Sequence, residues 1–165
     1  MRAIFPGRFQ PFHNGHLYAI KKISEESDLL IIVVENAGES FTLENPFTAG
    51  ERIEMILGSL KMKENILIVP IENIKNNAEW VNYLKIMLPK FDICYSNNPL
   101  VRILMENAGV KVKGIEFLER DKYSGTEIRK RIAKGIEWKN LVPEFVYEYI
   151  INKGLDKRII SLYGD

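Results

Sequence analysis

Short apolar runs alternate with longer stretches whose apolar positions recur at helical spacing, from one end of the chain to the other. Ala3-Ile4-Phe5 reads as a first short strand, stopped by Pro6-Gly7. Over residues 14–26, Leu17, Ile20 and Ile23 fall on one helical face. Residues 29–34 form an unbroken, β-branched-rich run, the mark of a strand buried on both faces. The pattern then repeats. Thr48, with Glu51 three residues on, makes a capping box for a helix to about residue 60. Further strands are expected over 66–69, 91–95 and within 110–117, separated by helices over 77–88 and from Asn98-Pro99 to near Gly109. Ser124 opens a helix through Ala133, and Pro143 begins another that runs to Ile151 before Gly154. Residues 155–165 carry only a weak helical pattern and no functional signal.

Strand-helix alternation of this kind predicts an α/β fold: a parallel sheet of about five strands with helices on both faces, followed by C-terminal helices. Such sheets bind ligands beyond the carboxyl ends of their strands, near the switch point in strand order. In a chain of 165 residues the whole is read as one domain, 1–165. The balance of 23 basic against 22 acidic side chains argues against a dedicated nucleic-acid binder but leaves room for a local cationic pocket. No apolar stretch approaches the roughly 20 residues of a membrane-spanning helix. The single cysteine, Cys94, lies in an apolar run and is assigned to the core, and a cytoplasmic location is expected.

The most unusual segment follows the first strand: Gly7-Arg8-Phe9-Gln10-Pro11-Phe12-His13-Asn14-Gly15-His16. Its two histidines, the only ones in the chain, stand three apart at the start of a helix and project to one side. A helix amino terminus favours phosphate, and imidazole N–H groups add donors there. Gly15 allows close approach where a Cβ would intrude. The second segment is Tyr123-Ser124-Gly125-Thr126-Glu127-Ile128-Arg129. Ser124 or Thr126 can cap this helix, its amides can receive an anion, and Arg129 lies one turn beyond Thr126. By themselves these features also fit ordinary capping and a solvated basic face.

The first segment carries the HxGH signature of the nucleotidylyltransferase superfamily. Its longer string resembles archaeal-type nicotinamide-nucleotide adenylyltransferases. The second resembles that family's SxTxxR motif, through Ser124, Thr126 and Arg129. The resemblance implies a Rossmann-like nucleotidyltransferase domain that joins AMP from ATP to nicotinamide mononucleotide, giving NAD and pyrophosphate. It implies catalytic roles for Arg8, His13, His16 and Arg129, and an ATP site of Gly7, Arg8, His13, Gly15, His16, Tyr123, Ser124, Thr126 and Arg129. Mg²⁺ is expected with ATP rather than in a protein cage of its own, no nucleic acid or membrane as partner, and a homo-oligomer as in family relatives.

On the acceptor side the candidates are Arg52, Asn77, Trp80 and Asn98. Asn77 and Trp80 share a helical face. Spacing alone makes Trp80 a core anchor, whereas the family places a matching pair against the nicotinamide ring. Arg52 lies in a segment resembling the family's PFTAGER, most of which capping and packing explain. Asn98 starts a helix that can hold ribose or phosphate. The chain also departs from the family: Glu35-Asn36-Ala37-Gly38 replaces Gly-Ser-Ala-Gln, Phe41 a histidine, Asn97 a glycine and Asn73 an aspartate. Three of the four lie on loops expected to face ligand. FMN or phosphopantetheine therefore stay open as acceptors, and a non-catalytic nucleotide-sensing module stays open as another class.

Overall fold

The structure, a computed structural model, describes residues 1–116 and 123–164; Phe117, at the end of the segment expected to hold the fifth strand, lies outside them. The chain divides into two compact units. The first comprises Met1–Gly7, Ala19–Ala37 and Lys63–Glu116, and the second Arg8–Tyr18, Gly38–Met62 and the remainder from Phe117.

The first unit holds a five-stranded sheet of β1 (Arg2–Gly7), β2 (Leu29–Val34), β3 (Ile66–Pro70), β4 (Ile93–Tyr95) and β5 (Lys111–Lys113). Every pairing is parallel and the order is β3-β2-β1-β4-β5. The order reverses between β1 and β4, so the carboxyl end of β1 is the switch point. β2 is buried along Leu30–Val34 because its unbroken apolar run serves both faces of the sheet. Ile4, Ile31, Val33 and Cys94 pack with Val81, Leu84 and Leu88 of the helical segment after β3 and with Met105 of the helix after β4. Alternate residues Ala3, Phe5, Leu30 and Ile32 are buried as well. Burial pushes the Cys94 thiol up to about 12, in keeping with its core assignment.

The helices are α1 (Asn14–Glu26), α2 (Ala49–Ser59), α3 (Trp80–Met87), α4 (Pro99–Asn107), α5 (Gly125–Lys134), α6 (Glu144–Asn152) and α7 (Leu155–Tyr163). Their boundaries follow chemistry visible in the sequence. Thr48 and Glu51 complete the capping box of α2. Asn98 caps α4 with Pro99 at its first position. Ser124 caps α5, which closes on Gly135 in the left-handed region. Three differences stand out. Residues 77–79 form a 3-10 turn rather than the first turn of α3. β4 starts two residues later than its apolar run, where the Arg2 N–H donates to the Asp92 carboxylate at 2.9 Å instead of to a strand carbonyl. The weakly patterned tail is a full helix, α7, which buries Leu155 and Ile159 against the rest of its unit. No helix among the described residues is long and apolar enough to cross a membrane.

Candidate active site

The Arg8–Tyr18 segment, α2, α5 and α7 all belong to the second unit, so the two signature segments can be compared directly there. Residues 8–13 run as an irregular loop into α1. Phe9 takes φ +53, a left-handed conformation a bulky residue adopts only when its surroundings hold it, and the Gln10–Pro11 peptide bond is cis. What holds it is packing and Gln10. Phe9 and Phe12 are buried, and their rings lie 4.7 Å and 5.6 Å from that of His16. The Gln10 side chain grips the Phe47 backbone at both ends, accepting from its N–H at 3.0 Å and donating to its carbonyl at 3.1 Å.

The two histidines stack, with centroids 3.5 Å apart and planes 20° from parallel. Each Nδ1 accepts from the other residue's backbone N–H: His13 N–H to His16 at 3.1 Å, and His16 N–H to His13 at 3.3 Å. An accepting Nδ1 places the proton of a neutral ring on Nε2, so each imidazole is locked as an Nε2–H donor. Burial holds the His13 pKa down to about 3. Burial, and then the charge of His13, hold His16 well below its ordinary value. Both rings are therefore neutral donors near pH 7 in the unliganded protein.

This has a measurable consequence for stability. Between pH 6.5 and about 3 the unfolded chain takes up a proton that folded His13 refuses. Stability from this group is thus complete above 6.5 and declines as pH falls, by about 1.4 kcal/mol per pH unit across the window. His16 acts in the same sense. Denaturant titrations from pH 7 to 4 should show a shallower decline for His13→Gln than for the parent; parallel curves would contradict the assignment.

The second segment meets the first directly. Arg129 is 7% exposed, and its Nη1 donates to the Gln10 carbonyl at 2.7 Å across 119 residues of sequence. Gly125 lies so close that a Cβ there would sit 2.9 Å from the same carbonyl oxygen. A Cβ at Gly15 would lie 3.0 Å from the His13 ring and 3.3 Å from Cβ of Tyr123. Close approach therefore requires glycine at 125 and leaves little room for a side chain at 15. Burial lowers the Arg129 pKa, Tyr163 raises it through charge and a hydrogen bond, and the like charge of Arg8 lowers it again. The Nε of Arg129 is buried with no hydrogen-bond partner among the described residues. A buried guanidinium near the charge of Arg8, bonded to the loop that leads to the two imidazoles, concentrates positive charge and donors where the signatures meet.

The cytidylyltransferase-like family model matches residues 4–131. Proteins named nicotinamide-nucleotide adenylyltransferase are similar over nearly the whole chain. The one from Methanococcus aeolicus is 51% identical over 98% of this chain and 95% of its own length. The one from Archaeoglobus fulgidus is 43% identical over 99% of this chain and 98% of its own. The chain belongs to the nicotinamide-nucleotide adenylyltransferase family. Its fold is also that of a bifunctional NMN adenylyltransferase/ADP-ribose pyrophosphatase from Francisella tularensis, solved with AMP and a manganese ion. The TM-score is 0.73 at 18% identity, over 96% of this chain and 52% of that one. The chain thus spans about half the length of that structure.

Within this adenylyltransferase fold the remaining candidates are distributed as follows. Gly7 ends β1 in the first unit, and the exposed Arg8 opens the second. Ser124 accepts from the Glu127 N–H at 3.1 Å, and Thr126 is exposed on the first turn of α5. Asn77, Trp80 and Asn98 belong to the first unit. Asn77 lines a polar cleft of about 220 Å³ with Asn82, Lys85, Leu104 and Asn107. Trp80 packs in part against the sheet core and is half-buried. The Asn98 side-chain oxygen caps α4, accepting from Leu100 and Val101. Asn97, where the family has glycine, pairs with both backbone groups of Ile115.

Arg52 is 0% exposed, and its guanidinium donates to the Thr48 carbonyl at 3.2 Å and the Arg8 carbonyl at 2.8 Å. These bonds tie the start of α2 to the loop that follows β1. Sequence reasoning missed Gln10, although it stands inside the first signature. Its role is visible only once Phe47 is seen beside it.

Proposed function

We propose that this chain transfers AMP from ATP to nicotinamide mononucleotide, releasing pyrophosphate and forming NAD. The observation that carries the reading is the junction of the two signatures: the buried Arg129 donates to the Gln10 carbonyl, on the loop that leads into two imidazoles locked as donors. The named relatives support the same acceptor.

In the proposed step a phosphate oxygen of the mononucleotide attacks the α-phosphorus of ATP in line. The bond from that phosphorus to the bridging oxygen of the β-phosphate breaks, and pyrophosphate leaves with its electron pair. The attacking group is already an anion, so no side-chain nucleophile or strong base is needed. What remains is positioning and charge stabilisation. His13 and His16 direct Nε2–H groups at the triphosphate, and Arg8 adds an exposed cation. Arg129 and the amino terminus of α5, with Ser124 and Thr126, hold the β- and γ-phosphates. Asn77 and Trp80 are assigned to the pyridinium ring, and Asn98 to the ribose or phosphate of the acceptor.

Among the described residues no three His, Cys, Asp or Glu side chains converge as metal ligands. Mg²⁺ would enter with ATP rather than in a cage of side chains, and would supply neutralisation of phosphate charge. A cytoplasmic location and a homo-oligomer belong to the same proposal.

Pyrophosphate release with ATP and Mg²⁺ tests it, offering nicotinamide mononucleotide, its nicotinate analogue, FMN and phosphopantetheine separately. Release with the pyridine mononucleotides alone supports the reading. Release with FMN or phosphopantetheine alone keeps the phosphate site and removes the Asn77 and Trp80 assignment. ATP binding without release from any of the four would indicate a nucleotide sensor.

A further inference from the structure

We infer that Arg158, on α7 and outside both signatures, is a positioning residue that holds the 8–16 phosphate loop in its working geometry through the 41–52 segment. The inference rests on the adenylyl-transfer reading for its kinetic consequence. Its structural basis is independent of that reading.

Arg158 engages three points of one segment. Its Nη1 and Nη2 donate to the two Glu51 carboxylate oxygens at 2.6 Å and 3.0 Å, a two-pronged pairing. Nη1 also donates to the Pro46 carbonyl at 3.0 Å. The guanidinium carbon lies 4.4 Å from the centre of the Phe41 ring. Phe41 is held at φ +58 while 57% exposed, a conformation and a setting a phenylalanine does not choose by itself.

From that grip two routes lead to the phosphate loop. Next to Pro46 is Phe47, whose backbone is held at both ends by Gln10, and the Gln10 carbonyl accepts from Arg129. Next to Glu51 is Arg52, which donates to the Arg8 carbonyl. Glu51 meanwhile accepts from the Thr48 N–H at 2.8 Å, fixing the start of α2. Burial pushes the Glu51 carboxyl up, and the bonds from Arg158 and Thr48 outweigh it, so the group stays ionised and paired. These routes reach Arg8 on the phosphate loop and Arg129 on α5, and every residue in them lies inside one compact unit.

The test uses the intact protein and two readouts: kcat for pyrophosphate release, and the imidazole C–H signals in proton NMR. The chain has only two histidines, so those signals report His13 and His16 alone. Arg158→Ala is expected to lower kcat about tenfold while KM for ATP changes less, as misplaced donors cost more in the transition state. It should also shift both imidazole signals. Arg158→Lys, which keeps the charge without the fork, should restore part of each. Lys157→Ala, exposed on the same helix, should move neither. If Arg158→Ala does not fold, Glu51→Gln keeps a capping-box side chain while removing the charge partner, and reads the same quantities. A lowered melting temperature with unchanged kcat and unmoved imidazole signals would overturn the inference and leave Arg158 a structural clamp. If the parent forms no dinucleotide, the adenylyl-transfer reading fails by itself. The imidazole signals then decide Arg158: shifted signals uphold its grip on the loop and unmoved ones refute it.

Discussion

His16→Ala is expected to turn over on the order of 10²–10³-fold more slowly than the parent, with the fold intact. The size follows from what the ring does. Its Nδ1 accepts from the His13 backbone, its face stacks on His13, and Phe9 and Phe12 fix its plane. The remaining nitrogen is thus a donor of set direction before substrate arrives. A preorganised donor aimed at developing charge is worth several kcal/mol in a dry site, and little of that is recovered by water. KM for ATP should change less than kcat, because the α-phosphate carries most of its new charge only in the transition state. Steady-state kinetics together with circular dichroism check this. Near-normal turnover in a folded variant would remove His16 from the chemistry.

Arg129→Lys is expected to lose about 10²-fold in kcat/KM for ATP, despite keeping the positive charge. Arg129 is buried, spends one prong on the Gln10 carbonyl, and has an open Nε. An ammonium is a single point donor. It can satisfy Gln10 or the phosphate, but cannot reproduce a planar fork that does both. The loss should appear in ATP affinity as well as in turnover, since the β- and γ-phosphates are charged in ground and transition states alike. Arg129→Lys with parent-like kcat/KM would show that any cation suffices, and the fork argument would fail.

Most of the sheet was legible because a strand buried on both faces must be apolar throughout, as 29–34 is. Helix starts were legible wherever one side chain decides them, at Thr48, Asn98 and Ser124. The two signature segments were legible because close approach demands glycine and phosphate demands cations or N–H donors. The remainder depends on long-range contact. Arg52 stands in a string that resembles the family's PFTAGER, and nothing local reveals that it donates to the Arg8 and Thr48 carbonyls. Gln10 needs Phe47, 37 residues away, to show its purpose. The tail was the least legible part, because α7 opens on Gly154 with no capping side chain to mark its start, and the partners of Arg158 lie more than a hundred residues away.

The central claim is attack on the α-phosphorus of ATP by the phosphate of the mononucleotide. The most direct test is to follow an isotopic label at that phosphorus during incubation with nicotinamide mononucleotide and Mg²⁺. The reading predicts that all transferred label appears in the dinucleotide and none in pyrophosphate. A sulfur-substituted α-phosphorus of defined handedness should be inverted once. Label remaining in ATP, or net retention at that centre, would contradict direct in-line adenylyl transfer by this chain.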